Sequence, residues 1–196
     1  MMENSMKHES KHGLTPSQTV GPYLHIGLDW LTTTELAPAG VAGERIVIQG
    51  QVLDADRQPI PDGMVEIWQA NSHGKYAHPD DQRALPVDAG FHGFGRVSTD
   101  EQGRFRFSTI KPGSVPDAQG RPQAPHLLVN VFARGLLKQL VTRMYFPGDA
   151  HDVDSVLQHV PAARRATLVA QSAGTGVVDW NILIGGGGDE TVFFEL

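Results

Sequence analysis

The sequence predicts an all-β fold, an antiparallel β-sandwich with an irregular N-terminal arm and one or two short helices. Several short segments rich in β-branched and aromatic residues are separated by turn-forming residues, and only one stretch has helical composition. The chain has 196 residues, with 22 glycines and 13 prolines, which suits one turn-rich domain. We therefore expect residues 1–14 to be a flexible, polar N-terminal tail and residues 15–196 to be a single β-sandwich domain.

The clearest strand signals lie between residues 44 and 69. Ile46, Ile48 and Val52 alternate with more polar neighbours, the stretch DADRQPIPDG is dense in turn formers, and the segment MVEIW alternates again. This pattern predicts a strand, a turn and a second strand. We expect four aromatic side chains to lie in the core: Trp68, Phe105, Phe107 and Phe132.

Further strands are predicted downstream. The segment GRFRFSTI places Phe105 and Phe107 on one face, and HLLVNVFARG and LLKQLVTRMYF are expected to pair around Gly135. Residues 152–170 have helical composition, which Pro161 divides into short pieces. The segments VVDWNILI and TVFFEL are predicted to form a hairpin around the glycine-rich turn GGGGDE.

The charge balance and residue content exclude several classes of function. Sixteen basic and 22 acidic side chains give a net charge of −6, so nucleic acid is not an expected partner. Without cysteine, disulfides, thiolate nucleophiles and sulfur-ligated zinc are excluded. The N-terminus lacks the apolar core of a signal peptide, and no apolar run approaches the roughly 20 residues that a membrane span needs. We expect a cytoplasmic protein with no membrane partner.

Common catalytic motifs are missing from the sequence. The glycines at 185–188 are not followed by Lys-Ser or Lys-Thr, and Asp189 and Glu190 would repel an anion, so they are not a phosphate loop. There is no Gly-x-Ser-x-Gly nucleophile elbow. The histidines are the remaining candidates, because His73 and His78 flank Tyr76 in one loop and His126 begins an apolar strand. Solvated surface histidines are the commoner explanation for the first two.

Five segments, in one order, resemble the intradiol ring-cleavage dioxygenases. They are TPSQTVGPY, GQVLDADRQPIPDGMVEIWQANSHGKYAH, GFGRVSTDEQGRFRFSTIKPG, APHLLVNVFARG and TRMYFPGD. The resemblance covers residues 15–196. Within the family it is greatest to the alpha chains of those members that are built from two kinds of chain.

For the catalytic chains of that family, the resemblance implies a non-haem ferric iron held by two tyrosines and two histidines. Tyr76 and His126 match the first tyrosine and the first histidine. Val115 and Leu128 stand where the second tyrosine and the second histidine would be, and Gln123 replaces an arginine that precedes the first histidine. Because valine and leucine cannot donate to a metal, we expect no metal in this chain and Fe(III) in a separate beta subunit.

The resemblance also implies a role for this chain beside that beta subunit. Carried over by position, Thr19, Gly21 and Pro22 would line the substrate pocket. Arg134 would be the catalytic contributor, either by meeting the substrate carboxylate electrostatically or by positioning a wall of the pocket. The expected reaction is cleavage of a small aromatic substrate, 3,4-dihydroxybenzoate, with O2 to 3-carboxy-cis,cis-muconate, a step of aromatic hydrocarbon catabolism in the beta-ketoadipate pathway. The simpler interpretation of Arg134 is a solvated cation at a strand end.

Two other classes of function are consistent with parts of the sequence. A non-catalytic, transthyretin-like binding or interaction module would contain the strand–turn–strand segment, but it does not explain YAH, APH and FARG together. A self-sufficient metalloenzyme would need His73, His78 or His92 to replace the missing ligands. Expression of the chain alone and with a beta subunit distinguishes these classes.

Overall fold

Two β-sheets packed face to face form the structure, a computed structural model that describes residues 15–19, 21 and 26–195. Their strands are β1 (Arg45–Leu53), β2 (Met64–Trp68), β3 (Phe94–Ser98), β4 (Arg104–Ile110), β5 (His126–Phe132), β6 (Leu140–Tyr145), β7 (Gln171–Gly174), β8 (Val177–Asp179) and β9 (Ile182–Leu183). One sheet has the order β4-β1-β8-β7, with β9 also paired to β1. The other has the order β3-β2-β5-β6.

The helical elements are short. An α-helix covers Ser155–His159, and 3-10 helices cover Asp29–Leu31, His151–Val153, Ala162–Leu168 and Gly187–Asp189. The predicted division at Pro161 is confirmed, since this residue stands between the α-helix and the next 3-10 helix. In the part of the chain that the structure describes, no helix is long and apolar enough to cross a membrane.

The predicted β-sandwich is confirmed, and strand alternation explains its core. Phe105 and Phe107 point inward from β4, and the inward residues of β2 and β5 face them from the other sheet. The pairing is antiparallel except that β1 runs parallel to β8 and β9. These parallel contacts join segments more than 120 positions apart, which no local sequence pattern encodes.

Two of the four aromatic residues expected in the core lie elsewhere. Trp68 and Phe132 are only partly buried, because they occupy the strand positions that face away from the opposite sheet. Val65 and Ile67 in β2, and Val131 in β5, supply the buried side chains instead. The expectation was wrong because aromatic character was given more weight than the alternation.

The predicted C-terminal hairpin was also wrong. Residues 191–195 form no strand with β8 or β9; instead the backbone N–H of Phe194 donates to Val141, in the other sheet. Thr191 holds the start of this segment against Leu183 through a backbone and a side-chain hydrogen bond. The C-terminal segment therefore leaves the first sheet and closes the edge of the second.

Candidate functional site

The outward face of the β3-β2-β5-β6 sheet carries two of the candidate residues, His126 and Leu128. The strand register places Trp68 opposite Leu128, and Leu128 opposite Arg143, in one row across three strands. In the next row, His126 lies opposite Tyr145. Since residues that pair across strands share a face, these side chains meet at one end of the sheet.

Two loops bring Tyr76 and Val115 to that end, and glycines allow the loops to touch. Gly74 has a left-handed φ of +75°, and a Cβ there would lie 2.1 Å from the carbonyl oxygen of Ser114. A Cβ on Gly113 would lie 2.5 Å from a backbone oxygen of the facing loop. Side chains at either position would force the two loops apart.

Tyr76 is held by ring stacking and by a hydrogen bond from its backbone to an ion-paired carboxylate. Its ring stacks on Trp68, with centroids 5.9 Å apart and planes inclined by 3°. Its backbone N–H donates to Asp81, whose pKa lies well below its usual range because Arg83 donates to the carboxylate. Burial raises the pKa of the Tyr76 phenol, so the phenol is protonated at neutral pH. The ring and Val115 line an open cleft of about 800 Å³.

His126 is buried and neutral. One ring nitrogen, Nδ1, lies 2.8 Å from the carbonyl oxygen of Ala124 and donates to it in the neutral tautomer. Burial, with a smaller contribution from the positive charge of Arg143, lowers the pKa of His126 to about 4. The imidazole therefore keeps a lone pair on Nε2 at physiological pH.

The guanidinium of Arg143 lies beside this imidazole, and no sequence motif predicted a role for it. Arg143 Nη1 donates to Gln123 Oε1 over 2.7 Å and lies 3.5 Å from the Tyr145 hydroxyl. The Tyr145 hydroxyl in turn donates to Asp154 Oδ1 over 3.2 Å, and Asp154 is fully buried. Burial raises the pKa of the Tyr145 phenol. A positive charge, a neutral phenol and a carboxylate thus form one connected network.

The other predicted site residues lie at the opposite end of β5. Thr19 Oγ1 donates to the carbonyl oxygen of Ala133 over 3.3 Å, next to Arg134, and the N–H of Gly21 lies 3.5 Å from Thr19 Oγ1. Arg134 is exposed, with Nε 3.1 Å from Asp62 Oδ1. Pro22, predicted to line the substrate pocket, lies outside the described residues.

The length of β5 separates the two groups. Its seven residues span roughly 20 Å, with His126 at the start and Arg134 two residues beyond the end. The structure therefore brings Thr19 and Gly21 close to Arg134, and Tyr76, Val115 and Leu128 close to His126. It does not bring one group to the other, so Arg134 cannot act on a ligand held near His126 of the same chain.

Comparison with known proteins identifies the family. The family model described as "Dioxygenase" matches residues 31–181. The protocatechuate 3,4-dioxygenase alpha chain of Pseudomonas putida is 37% identical over 92% of this chain and 96% of its own length, and that of Burkholderia cepacia is 40% identical over 93% and 97%. The chain belongs to the intradiol ring-cleavage dioxygenases.

Other dioxygenases are also similar to this chain. The protocatechuate 3,4-dioxygenase beta chain of Burkholderia cepacia is 40% identical over 79% of this chain and 66% of its own length. A dioxygenase domain from Streptomyces sp. SirexAA-E matches with a TM-score of 0.57 and 25% identity, covering 87% of this chain and 97% of that domain. An intradiol ring-cleavage dioxygenase from Tetranychus urticae, with 18% identity and a TM-score of 0.61, covers 90% of this chain and 96% of its own and shares the fold.

The residues that the sequence resemblance assigns to the family's iron position do not fit ferric iron. We call Tyr76, Val115, His126 and Leu128 the remnant site. Two of these side chains are hydrocarbons, the phenol is held protonated by burial, and the guanidinium of Arg143 adds a positive charge beside them.

The histidines proposed as replacement ligands do not complete a metal site either. His73, His78 and His92 are exposed, and His78 Nδ1 lies 3.6 Å from the Asp80 carboxylate. Across residues 15–19, 21 and 26–195, no three His, Asp or Glu side chains form a group that could hold a metal ion. The self-sufficient metalloenzyme therefore has no geometric support among the described residues.

Proposed function

We propose that this chain is the alpha subunit of a protocatechuate 3,4-dioxygenase. In this proposal, it shapes the active site of an iron-bearing beta subunit that cleaves 3,4-dihydroxybenzoate with O2 to 3-carboxy-cis,cis-muconate. The observation that carries the proposal is the remnant site, which has lost two of four donors in a chain that matches known alpha chains over more than nine tenths of its length. We expect the assembled enzyme to be cytoplasmic.

The ferric ion bound in the beta subunit would supply the redox chemistry of ring cleavage. The contribution of this chain is electrostatic and steric. Arg134 presents a permanent positive charge on an exposed strand end, and a guanidinium matches the two oxygens of a carboxylate. The benzoate substrate has a carboxylate, and the catechol oxygens lie at the other side of its ring. Arg134 is therefore suited to bind the end of the substrate that does not react.

The N-terminal arm would form the wall of the same opening. Its contact with the strand end is the hydrogen bond from Thr19 to Ala133, which places the arm beside Arg134. Gly21 has a left-handed φ of +65°, so the arm turns at this residue. An arm held there would limit how far a substrate extends past the arginine.

Expression with and without a beta subunit tests the proposal. The isolated chain should hold no iron, show no visible tyrosinate-to-iron absorption and consume no O2 with protocatechuate. The complex with a protocatechuate 3,4-dioxygenase beta chain should hold iron, show this absorption and consume O2 with protocatechuate. Iron, colour and turnover in the isolated chain would contradict the subunit role, whereas failure to bind any beta chain would favour the transthyretin-like module.

The role of Arg134 needs a separate measurement in the reconstituted complex. Arg134→Ala should raise the KM for protocatechuate and leave bound iron unchanged, because the arginine meets the carboxylate and not the metal. Arg106→Ala, which removes an exposed arginine from β4 in the other sheet, is the matched control. An unchanged kcat/KM in Arg134→Ala would remove this residue from the substrate site.

A further inference from the structure

Asp62 and Arg134 are brought together by the register of β2 and β5. Met64 pairs with Phe132, and continuing this antiparallel register by two residues on each strand places Asp62 opposite Arg134. The two side chains do meet, with Asp62 Oδ1 3.1 Å from Arg134 Nε. Two sequence segments more than 70 positions apart thus form an ion pair at one end of the sheet.

The turn that carries Asp62 is anchored by one buried residue, Thr99. Thr99 Oγ1 donates to the carbonyl oxygen of Ile60 and accepts from the N–H of Gly63, both over 2.8 Å. The N–H of Thr99 also donates to the carbonyl oxygen of Gly63 over 2.8 Å. Asp62 lies between Ile60 and Gly63, which are both bonded to Thr99, so the backbone that carries its carboxylate is held in place.

The carboxylate itself is partly withdrawn from solvent, whereas the arginine is not. The Asp62 side chain is 22% exposed and that of Arg134 is 63% exposed. Asp62 Oδ1 is shielded from water and accepts no directed hydrogen bond, so its contact with Arg134 depends on charge and proximity. Asp62 also has a left-handed φ of 53°, a conformation that Asp and Asn adopt more readily than most residues.

The approach of Asp62 to Nε leaves the outer end of the guanidinium available. Among the described residues, none accepts a hydrogen bond from Nη1 or Nη2 of Arg134. We propose that Asp62 is a positioning residue, which holds Arg134 from the Nε side so that Nη1 and Nη2 point towards the substrate carboxylate. This inference rests on the proposed function, since it assigns a task to the arginine placed at the opening.

Two opposing effects decide the sign of an Asp62 substitution. An unrestrained arginine side chain loses rotamer entropy when it binds, and a fixed neighbour removes part of that cost in advance. The Asp62 charge also repels the substrate carboxylate, but the guanidinium lies between the two anions and water screens the rest. We expect positioning to dominate, so neutralising Asp62 should weaken binding of the carboxylate.

The experiment uses the alpha-beta complex with Asp62→Asn, Arg134→Ala and the double variant. Asn suits the left-handed backbone and is nearly isosteric, so Asp62→Asn removes the charge without straining the turn. We expect the KM for 3,4-dihydroxybenzoate to rise about two- to fivefold with kcat unchanged, a size typical of exposed ion pairs. The inhibition constant of the neutral analogue 3,4-dihydroxybenzamide should not change.

The double variant separates positioning from a general structural effect. In the Arg134→Ala background, Asp62→Asn should have no further effect on KM, because there is no arginine left to position. The inference is overturned if Arg134→Ala raises KM while Asp62→Asn leaves it unchanged or lowers it, or if the acid and the amide weaken equally. If Arg134→Ala itself has no effect, the proposed role of Arg134 fails and the role of Asp62 fails with it.

Discussion

Leu128 and Arg143 lie opposite each other on β5 and β6, so a hydrocarbon and a guanidinium face each other at the remnant site. The resemblance assigns Leu128 to the position of a histidine ligand and Gln123 to that of an arginine, and Arg143 donates to Gln123. The hydrocarbon side chain proposed to replace an iron donor and the positive charge one strand away are therefore parts of one local arrangement. This arrangement is the basis of the first prediction.

Restoring the two missing donors should restore metal binding in steps. We expect wild type and the single variants Val115→Tyr and Leu128→His to lose ferric iron on desalting, because none of them has four donors. The double variant should retain some iron and show visible tyrosinate absorption. Adding Arg143→Gln should increase the retained iron, since it removes a positive charge beside the site.

Iron content per chain by elemental analysis, together with the visible spectrum, is the measurement for this series. The useful control is Arg134→Gln in the same double variant, because it removes an arginine roughly 20 Å from the remnant site. That control should match the double variant. Stable, coloured iron in the wild-type chain would show that the remnant site is a functional metal centre after all.

The sequence predicted the sandwich well because period-two alternation reports directly which strand positions are buried. It placed Phe105 and Phe107 correctly, and the separate motifs of one family supplied the candidate site. Trp68 was misplaced because its size suggested the core, whereas its strand position makes it a platform for Tyr76. Side-chain size and strand alternation point to different faces at this residue, which lies at the candidate site, and the alternation is correct.

The residues that the sequence missed share a physical cause. Arg143, Asp154 and Asp62 each act through a partner brought close by strand register or by a turn, and such partners are distant in the chain. Once the pairing of Met64 with Phe132 is known, the contact of Asp62 follows by counting. Without strand order, no spacing in the sequence distinguishes these charged residues from solvated ones.

Gly74→Ala should destabilise the fold through a clash as well as through backbone strain. The new Cβ would lie 2.1 Å from the carbonyl oxygen of Ser114, so the loop that carries Tyr76 must move. Gly120→Ala is the matched control, because Gly120 has a similar φ of +78° with nothing within 4 Å. We expect the control to lose about 1 kcal/mol of unfolding free energy and Gly74→Ala to lose clearly more.

Urea unfolding and near-ultraviolet circular dichroism test this pair of glycine variants. Displacement of Tyr76 from Trp68 should change the aromatic spectrum of Gly74→Ala and leave that of Gly120→Ala unchanged. Equal losses of stability in the two variants would mean that the loops separate at little cost. In that case the close contact at Gly74 would not be what places Tyr76 beside Val115.

The buried imidazole of His126 should make the protein less stable as the solution is acidified. Its pKa is about 4 when folded and about 6.5 when unfolded, so between these values the unfolded chain binds the extra proton. Stability is therefore unaffected above pH 6.5 and falls as the pH decreases towards 4. We expect a loss of about 2 kcal/mol between pH 7.5 and pH 5.

Comparison with His126→Gln isolates this contribution from those of other titrating groups. The variant will be less stable at neutral pH, because it disturbs the contact with Ala124. The difference in unfolding free energy between wild type and variant should shrink on going from pH 7.5 to pH 5. Parallel pH profiles for the two proteins would show that His126 titrates normally in the folded chain.

Asp154→Ala should be among the most destabilising substitutions of a polar residue. The carboxylate is fully buried, and its oxygens accept from the N–H of Leu157 at the start of the helix, the N–H of Ala124 and the Tyr145 hydroxyl, over 2.8, 3.0 and 3.2 Å. Alanine leaves these three donors without a partner in the protein and removes the helix cap. We expect a loss of about 2 to 4 kcal/mol of unfolding free energy.

The control for Asp154→Ala is Asp152→Ala, an exposed carboxylate two residues earlier in the same segment. Urea denaturation of both variants at pH 7 gives the comparison, and Asp152→Ala should stay within about 0.5 kcal/mol of wild type. Since Asp154 also connects to Arg143 through Tyr145, its loss should remove the negative charge from the network that includes the guanidinium. Similar stabilities for the two variants would mean that water replaces the carboxylate, and that the network beside the remnant site does not depend on it.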